Sequence, residues 1–385
     1  MVKAKTAESL QVHFCSSPLF PDLFASSLFQ LLMETKKKSR EAHGYAARDS
    51  SGFLSPFSFT RRLNEDDDVT IKILYCGICH SDLHLARNEL GFSVYPLVPG
   101  HEIVGEVIEI GANVQTFKVG DKAGVGCIVG SCGSCDSCLQ NLECYCKKSI
   151  LTYSSTDRDG SITYGGYSDI IVVHQRFVFN IPHSLPLHSA APLLCAGISV
   201  YSPMRFFGLD RPGLHLGVVG LGGLGHLAVK FAKAMEMRVT VISTSPHKQK
   251  EAIERFGADK FVISTNDEQM KEVMGSMDGI IDTVSAAHPM EPLMDLLKVQ
   301  GKLVVVGGSP EPLLVPSIPL LMGRKIVAGS ICGGTKETQE MLNFAAENKI
   351  EADVEIIPMS YVNTAMERLF KGDIKYRFVI DPISV

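Results

Sequence analysis

Residues 215–235 read HLGVVGLGGLGHLAVKFAKAM, and the order of elements within this stretch decides the fold. The apolar run LGVV is followed by Gly220-Leu221-Gly222-Gly223-Leu224-Gly225, and a helix with an apolar face leaves the turn. Glycines in that order permit a tight turn and a close approach of backbone to a pyrophosphate. The start of the helix adds free N–H groups and a partial positive charge. A glycine-rich turn can exist without a ligand, but its place between strand and helix makes a dinucleotide site the reading.

Working outward toward the C-terminus, RVTVIST (238–244) reads as a second strand and KQKEAIERFG (248–257) as an amphipathic helix ended by Gly257. FVIST, GIIDTVS, GKLVVVGG and KIVAGSI follow as short apolar strands. Strands buried on both faces and separated by helices predict a parallel, doubly wound sheet. A site for NAD would carry Asp or Glu at the end of the second strand to bond the ribose hydroxyls. Here that strand runs into Ser243, Thr244 and Ser245, with Lys248 beyond and no acid. Hydroxyls and a cation suit a 2′-phosphate, which a carboxylate would repel, so the expected cofactor is NADP(H).

Toward the N-terminus the pattern differs. VTIKILYCGICHSDL (69–83), GHEIVGEVIEIG (100–111), KVGDKAGVGCIVG (118–130) and YSDIIVVHQRFVFNIP (167–182) are short β segments cut by glycine turns. They predict a β-rich, barrel-like domain that gives way to alternating strands and helices around Pro192. The tail, from TKETQEMLNFAAENKI to YRFVIDPISV, reads as helix, strand, helix and strand, and is assigned back to the β-rich domain. The expected division is 33–195 with 334–385 as the β-rich domain and 196–333 as the cofactor domain. Residues 1–32 lie ahead of a second methionine, in METKKKSREA, and are read as an extension expected to lack order. Their apolar stretch is broken by His13, Pro18, Pro21 and Asp22, unlike a secretory signal, and they lack the arginines of a transit peptide.

The bulk numbers narrow the function. A length of 385 residues suits two domains, and 45% apolar with 21% charged residues is ordinary globular composition. A net charge of −5 argues against a nucleic-acid or anionic-membrane partner, and no apolar run is long enough to span a bilayer. Eleven cysteines is an odd count and fits a disulfide framework poorly. Their spacing points to metal and a reducing compartment.

Cys132, Cys135, Cys138 and Cys146 crowd one short lobe, SCGSCDSCLQNLECYC, which has little apolar content of its own. Four thiolates on such a loop give Zn²⁺ a closed tetrahedral shell, the mark of a structural site, with Cys144 able to replace Cys146. A second set is dispersed: Cys79, His101 and Cys195. Two cysteines and a histidine are an alcohol dehydrogenase arrangement for a catalytic zinc with one open position. Spacing alone does not join these three, each of which also reads as a buried core residue. Cys76 and Cys79 would also make a CxxC pair, but no thioredoxin-like pattern surrounds them.

Taken together, YCGICHSDLH, YPLVPGHEIVGEV, the four-cysteine lobe, AAPLLCAG, VVGLGGLGH and YRFVID resemble the zinc-containing medium-chain alcohol dehydrogenases, specifically the plant cinnamyl-alcohol-dehydrogenase-like proteins. The resemblance runs from about residue 40 to the C-terminus. It implies an α/β architecture, a GroES-like β-rich catalytic domain joined to a Rossmann domain. It also implies catalytic zinc on Cys79, His101 and Cys195, with Glu102 occupying or leaving the fourth position. Ser81, beside the cofactor, would begin a proton relay that His84 passes to solvent. The same resemblance selects Cys146 over Cys144 as the fourth structural ligand. It puts Thr244 and Lys248 at the 2′-phosphate, and it implies a cytoplasmic homodimer acting on a small alcohol or aldehyde.

One departure bears on substrate. Members serving lignin-monomer synthesis carry a tryptophan in the stretch matching SILTY and a phenylalanine near Ile331. This chain has Leu151 and no tryptophan at all. A flat phenylpropenyl ring loses its stacking partners there. Benzyl-type, terpenoid and mannitol-like substrates belong to the same family. A reductase of conjugated alkenes or iminium groups is the rival reading, against which the intact ligands and Ser81 stand. A nucleotide-binding sensor that keeps only the fold is the non-enzymatic rival, and those residues stand against it too.

Overall fold

The computed structural model describes residues 39–309 and 311–382. The expectation for residues 1–32 lies outside the described residues. The chain divides into a short unit ending at Arg40 and a second unit, Glu41–Val385, that holds every feature below except the first two residues of β1.

Short strands dominate the first part: β1 (Ser39–Ala47), β2 (Leu54–Arg62), β3 (Asp68–Gly77), β4 (Ile103–Ile110), β5 (Lys122–Val125), β6 (Ile128–Gly130), β7 (Ile150–Leu151), β8 (Ile170–His174) and β9 (Val178–Asn180). β3 is central, pairing antiparallel with both β4 and β8. Its residues Val69, Ile71 and Ile73 are buried in an apolar core with Ile103, Val107, Ile171 and Phe378, and the period of two carries that face. The helix α1 (His80–Ala86) leaves β3 directly, starting at Cys79. A short helix α2 (Asp136–Leu139) lies in the cysteine lobe, α3 (Leu187–Ala190) follows β9, and α4 (Ala196–Phe206) begins at Cys195.

The second sheet comprises β10 (His215–Val219), β11 (Arg238–Ser243), β12 (Lys260–Ile263), β13 (Met277–Asp282), β14 (Leu297–Val305) and β15 (Ile326–Gly329). Its order is β12-β11-β10-β13-β14-β15 and every pair is parallel. All five residues of β10 are buried, as a strand covered by helices on both faces requires. The helix α5 (Gly225–Ala234) crosses from β10 to β11, and the two strands flanking β10 place the glycine turn at the switch point of the strand order. The segment expected as one amphipathic helix up to Gly257 is helical but irregular. A 3₁₀ turn over Pro246–Lys248 leads into a π-type turn over Glu251–Arg255, with Phe256 N–H donating to Glu251 O. Gly257, at φ +76°, ends it.

The tail returns to the first sheet. Past β15 come α6 (Thr335–Glu347), β16 (Val354–Pro358), α7 (Val362–Phe370) and β17 (Arg377–Asp381). β17 pairs antiparallel with β3 and parallel with β16, giving the order β16-β17-β3-β4-β5-β9. No helix among the described residues is long and apolar enough to cross a membrane.

Candidate active site and metal centres

Four side chains from three distant places in the sequence converge just past β3, just before β4 and at the start of α4. The ligand atoms of Cys79, His101, Glu102 and Cys195 all lie within 4.8 Å of one another, and all four residues are buried. Cys79 Sγ is 3.9 Å from Cys195 Sγ, and His101 Nε2 is 3.3 Å from Cys195 Sγ.

Asp82, fully buried, organises this set. Its carboxylate accepts from Cys79 N–H (2.8 Å), Gly100 N–H (3.0 Å), Tyr153 O–H (2.7 Å) and Tyr167 O–H (3.2 Å), and its Oδ1 is 3.3 Å from His101 Nδ1. A proton on Nδ1 facing this acceptor leaves the Nε2 lone pair turned toward the cysteines, the tautomer a metal ligand needs. Tyr153 also stacks on the His101 ring at 5.8 Å between centroids. Burial works to lower the His101 pKa, but the charges of Asp82 and Cys195 hold it well above the usual value. Burial pushes the Glu102 carboxyl up to about 7, with Arg377 opposing. Arg377, buried on β17, meets Glu102 through Nε at 3.2 Å and through a shorter Nη2 contact. The bond from Cys195 draws the Cys79 thiol well below its ordinary value. Two thiols, an imidazole and a carboxylate, buried and closely spaced, fit a Zn²⁺ site.

Ser81 and His84 lie three residues apart on α1 and so share a face. The Ser81 Oγ is exposed, 3.6 Å from Cys79 Sγ. His84 pairs through Nδ1 with Glu89, on the exposed side. Leu151 pairs with Ile128, and Thr152 N–H donates to Cys127 O, so the SILTY stretch passes beside the cluster.

Cys132, Cys135, Cys138 and Cys146 form the second group, again within 4.8 Å. Their nearest Sγ–Sγ separations are 3.5, 3.6 and 3.9 Å. A tetrahedron of sulfurs about 2.3 Å from a zinc has edges of about 3.8 Å, which these distances match. Cys144 points elsewhere and bonds Cys332 O at 3.2 Å. No disulfide joins the ten described cysteines.

At the glycine turn, Gly220 has φ +85°, and a Cβ on Gly225 would stand 2.1 Å from Gly220 O, so neither position admits a side chain. Gly222 has open space before it. Leu221 is buried beneath the turn and Leu224 precedes α5. Lys248 folds back onto the turn, its Nζ 2.9 Å from Leu221 O. Ser243 Oγ accepts from Ser245 N–H at 3.2 Å, and Thr244 is exposed beside them. Asp82, Tyr153 and Arg377 are the functional residues that reading the sequence missed. Asp82 had one visible signal, an acid three residues after a ligand cysteine at a helix start.

A β-rich domain, a parallel dinucleotide-type sheet and a Cys/His/Glu/Cys cluster define a zinc-binding dehydrogenase. Comparison with known proteins agrees. Residues 65–183 match the alcohol dehydrogenase GroES-like domain, and residues 223–347 match the zinc-binding dehydrogenase domain. A probable mannitol dehydrogenase of Fragaria ananassa is 65% identical over 342 residues, 89% of this chain and 95% of that protein. A cinnamyl alcohol dehydrogenase of Sorghum bicolor superposes with a TM-score of 0.87 at 55% identity, over 89% of this chain and 98% of that one. The cinnamyl alcohol dehydrogenase of Helicobacter pylori in complex with NADP(H) gives 0.83 at 37% identity, over 89% and 98%. The chain belongs to the zinc-containing alcohol dehydrogenase family, in its cinnamyl-alcohol-dehydrogenase-like branch.

Proposed function

We propose that this enzyme interconverts a primary alcohol and its aldehyde with NADP(H), using a catalytic zinc on Cys79, His101 and Cys195 and a structural zinc on Cys132, Cys135, Cys138 and Cys146. The observation that carries this is the convergence of four buried donors beside an exposed serine hydroxyl. When bound, zinc supplies Lewis acidity at the substrate oxygen and NADPH supplies hydride to the carbonyl carbon.

This chain's own residues do the rest. Asp82 fixes the ligand tautomer and the spacing of the set. Ser81 donates a proton to the substrate oxygen in reduction and accepts one in oxidation, and His84 exchanges that proton with solvent. Glu102, held by Arg377, would be the further donor available to the metal beside the two cysteines and His101. The glycine turn, Gly220 to Gly225, seats the pyrophosphate. Ser243, Thr244, Ser245 and Lys248, with no acid among them, receive the 2′-phosphate, in keeping with the NADP(H) complex of the Helicobacter pylori relative.

The cofactor domain is 196–333 and the catalytic domain 33–195 with 334–385. The substrate is of cinnamyl or benzyl type or a related aldehyde, with Leu151 in place of an aromatic wall. The Fragaria ananassa relative favours mannitol-type polyols as the second reading. A cytoplasmic homodimer completes the proposal. β15 is an open sheet edge, and Leu314, Leu321 and Met322, which precede it in the chain, are exposed at 83%, 70% and 82%, features suited to pairing with a second copy.

The test is steady-state oxidation of NADPH, with NADH in parallel, across cinnamaldehydes, benzaldehydes, terpenoid aldehydes and a sugar. Turnover that depends on NADPH and vanishes in Cys79→Ala is the expected result. Absence of turnover with zinc and NADPH bound would overturn the proposal in favour of an alkene or iminium reductase.

A further inference from the structure

The four-cysteine lobe grips the segment by which the chain leaves the parallel sheet. Between β15 and α6, residues 330–334 carry the backbone toward the mixed sheet. Ile331 N–H donates to Tyr145 Oη at 3.1 Å, and the same hydroxyl shares a hydrogen bond with Ser330 Oγ, 3.3 Å away. The Cys144 thiol bonds Cys332 O. Glu143, fully buried, accepts from Thr335 N–H at 3.0 Å and from its hydroxyl at 3.1 Å, and is itself held by Arg176 at 2.8 Å. A Cβ on Gly334 would stand 1.6 Å from Asn141 O, so backbone lies against backbone. From the opposite side Ser199 Oγ donates to Ile331 O at 2.8 Å.

The gripped segment reaches the catalytic cluster. Ser199, whose hydroxyl donates to Ile331 O, donates its own N–H to Cys195 O at 2.9 Å in the first turn of α4. A displacement of the segment is therefore passed to the first turn of α4 and to Cys195 at its start, and the lobe residues that fix the segment are not zinc ligands.

We infer that Glu143 and Tyr145 are positioning residues of the active site: the zinc lobe holds the 330–335 crossover in the place where it shapes the substrate pocket. The inference rests on the alcohol dehydrogenase reading for its kinetic consequence but not for the contact itself.

The experiment compares wild type with Tyr145→Phe, which keeps the ring and all the cysteines. Amide exchange is followed by mass spectrometry in peptides covering 326–340. Loss of one hydrogen bond to a backbone amide is expected to speed exchange there about fivefold. The aldehyde KM is expected to rise by a similar factor, more than the KM for NADPH, with zinc content and Tm held. A general structural role would lower Tm and the active fraction and leave the aldehyde KM alone. Thr335→Val against Thr335→Ser provides the second arm, since serine keeps the hydroxyl to Glu143. Faster exchange and raised KM in valine, restored in serine, support the clamp even if Tyr145→Phe fails to fold. Unchanged exchange and KM in a folded variant overturn it. If wild type turns over no aldehyde, the alcohol dehydrogenase reading fails, and the exchange comparison, which needs no substrate, still decides the clamp.

Discussion

Replacing Asp82 by asparagine tests whether this carboxylate builds the metal set. Both carboxylate oxygens are acceptors: Oδ1 receives Gly100 N–H and Tyr153 O–H and faces His101 Nδ1, while Oδ2 receives Cys79 N–H and Tyr167 O–H. Asparagine turns one oxygen into a donor, so one of these groups of donors meets N–H instead. The tyrosine hydroxyls can rotate away, but a backbone amide cannot, and at least one of Cys79 or Gly100 is stranded. A stranded buried donor costs about 1–3 kcal/mol. His101 also loses the anion that fixes its tautomer, for which loss of an outer partner typically weakens metal binding by about 10–100-fold. The expected result is a protein with Tm lowered by several degrees, an intact lobe zinc, and catalytic zinc released at a correspondingly lower chelator concentration. The assay is competition with a chromophoric chelator, read beside thermal unfolding. An Asp82→Asn variant that holds both metals as tightly as wild type, at unchanged Tm, would refute the reasoning.

Other outcomes follow from the same geometry. Ser81→Ala is expected to retain zinc and NADPH and lose turnover by about 10²–10⁴-fold, as for loss of a general acid; wild-type turnover would remove Ser81 from the relay. Lys248→Glu should raise the KM for NADPH by about 10–100-fold, the value of a charge-assisted bond, and shift preference toward NADH, checked by paired cofactor kinetics. His226 is buried, its Nδ1–H donating to Gly222 O and its Nε2 accepting Asp353 N–H, and burial lowers its pKa to about 3. Below about 6.5 the unfolded chain takes a proton that the folded ring refuses, so stability falls as pH drops from about 6.5 toward 3, by about 2 kcal/mol at pH 5. Urea unfolding at pH 7 and pH 5 measures this, and a His226→Gln variant should show a smaller loss between the two.

Much of the fold was legible because period and punctuation carried it. The glycine turn between an apolar strand and a helix, and the repeated apolar strands after it, dictate a parallel sheet whatever the side chains elsewhere do. The lobe was legible for the same local reason, since five cysteines in fifteen residues, four of them able to close one metal shell, admit few other uses. The dispersed cluster was reached only through resemblance. Cys79 and Cys195 are 116 residues apart, and each alone is a small buried thiol. The irregular turns over 246–255 were not legible, because a short i→i+3 turn followed by an i→i+5 turn leaves the amphipathic pattern of an ordinary helix intact.

Arg377 shows where local pattern gives out. In the sequence it is one cation in the apolar strand RFVID, and the ordinary expectation is a side chain turned to solvent. The strand instead lies on β3, at the register Val379–Gly77 and Ile380–Cys76, which turns Arg377 inward at 2% exposure. There it grips Glu102, 275 residues away, and a Cβ on Gly223 would stand 2.8 Å from its Nη1. One guanidinium thus spans the carboxylate of the metal set and the turn of the cofactor site. A buried ion pair gains little net stability once desolvation is counted, whereas removing one partner strands the other charge. Arg377→Met should therefore leave Glu102 unpaired and protonated. The Glu102→Gln, Arg377→Met double variant should lose less Tm than the two single losses sum to. A strictly additive cycle would mean that the pair does not act as a unit.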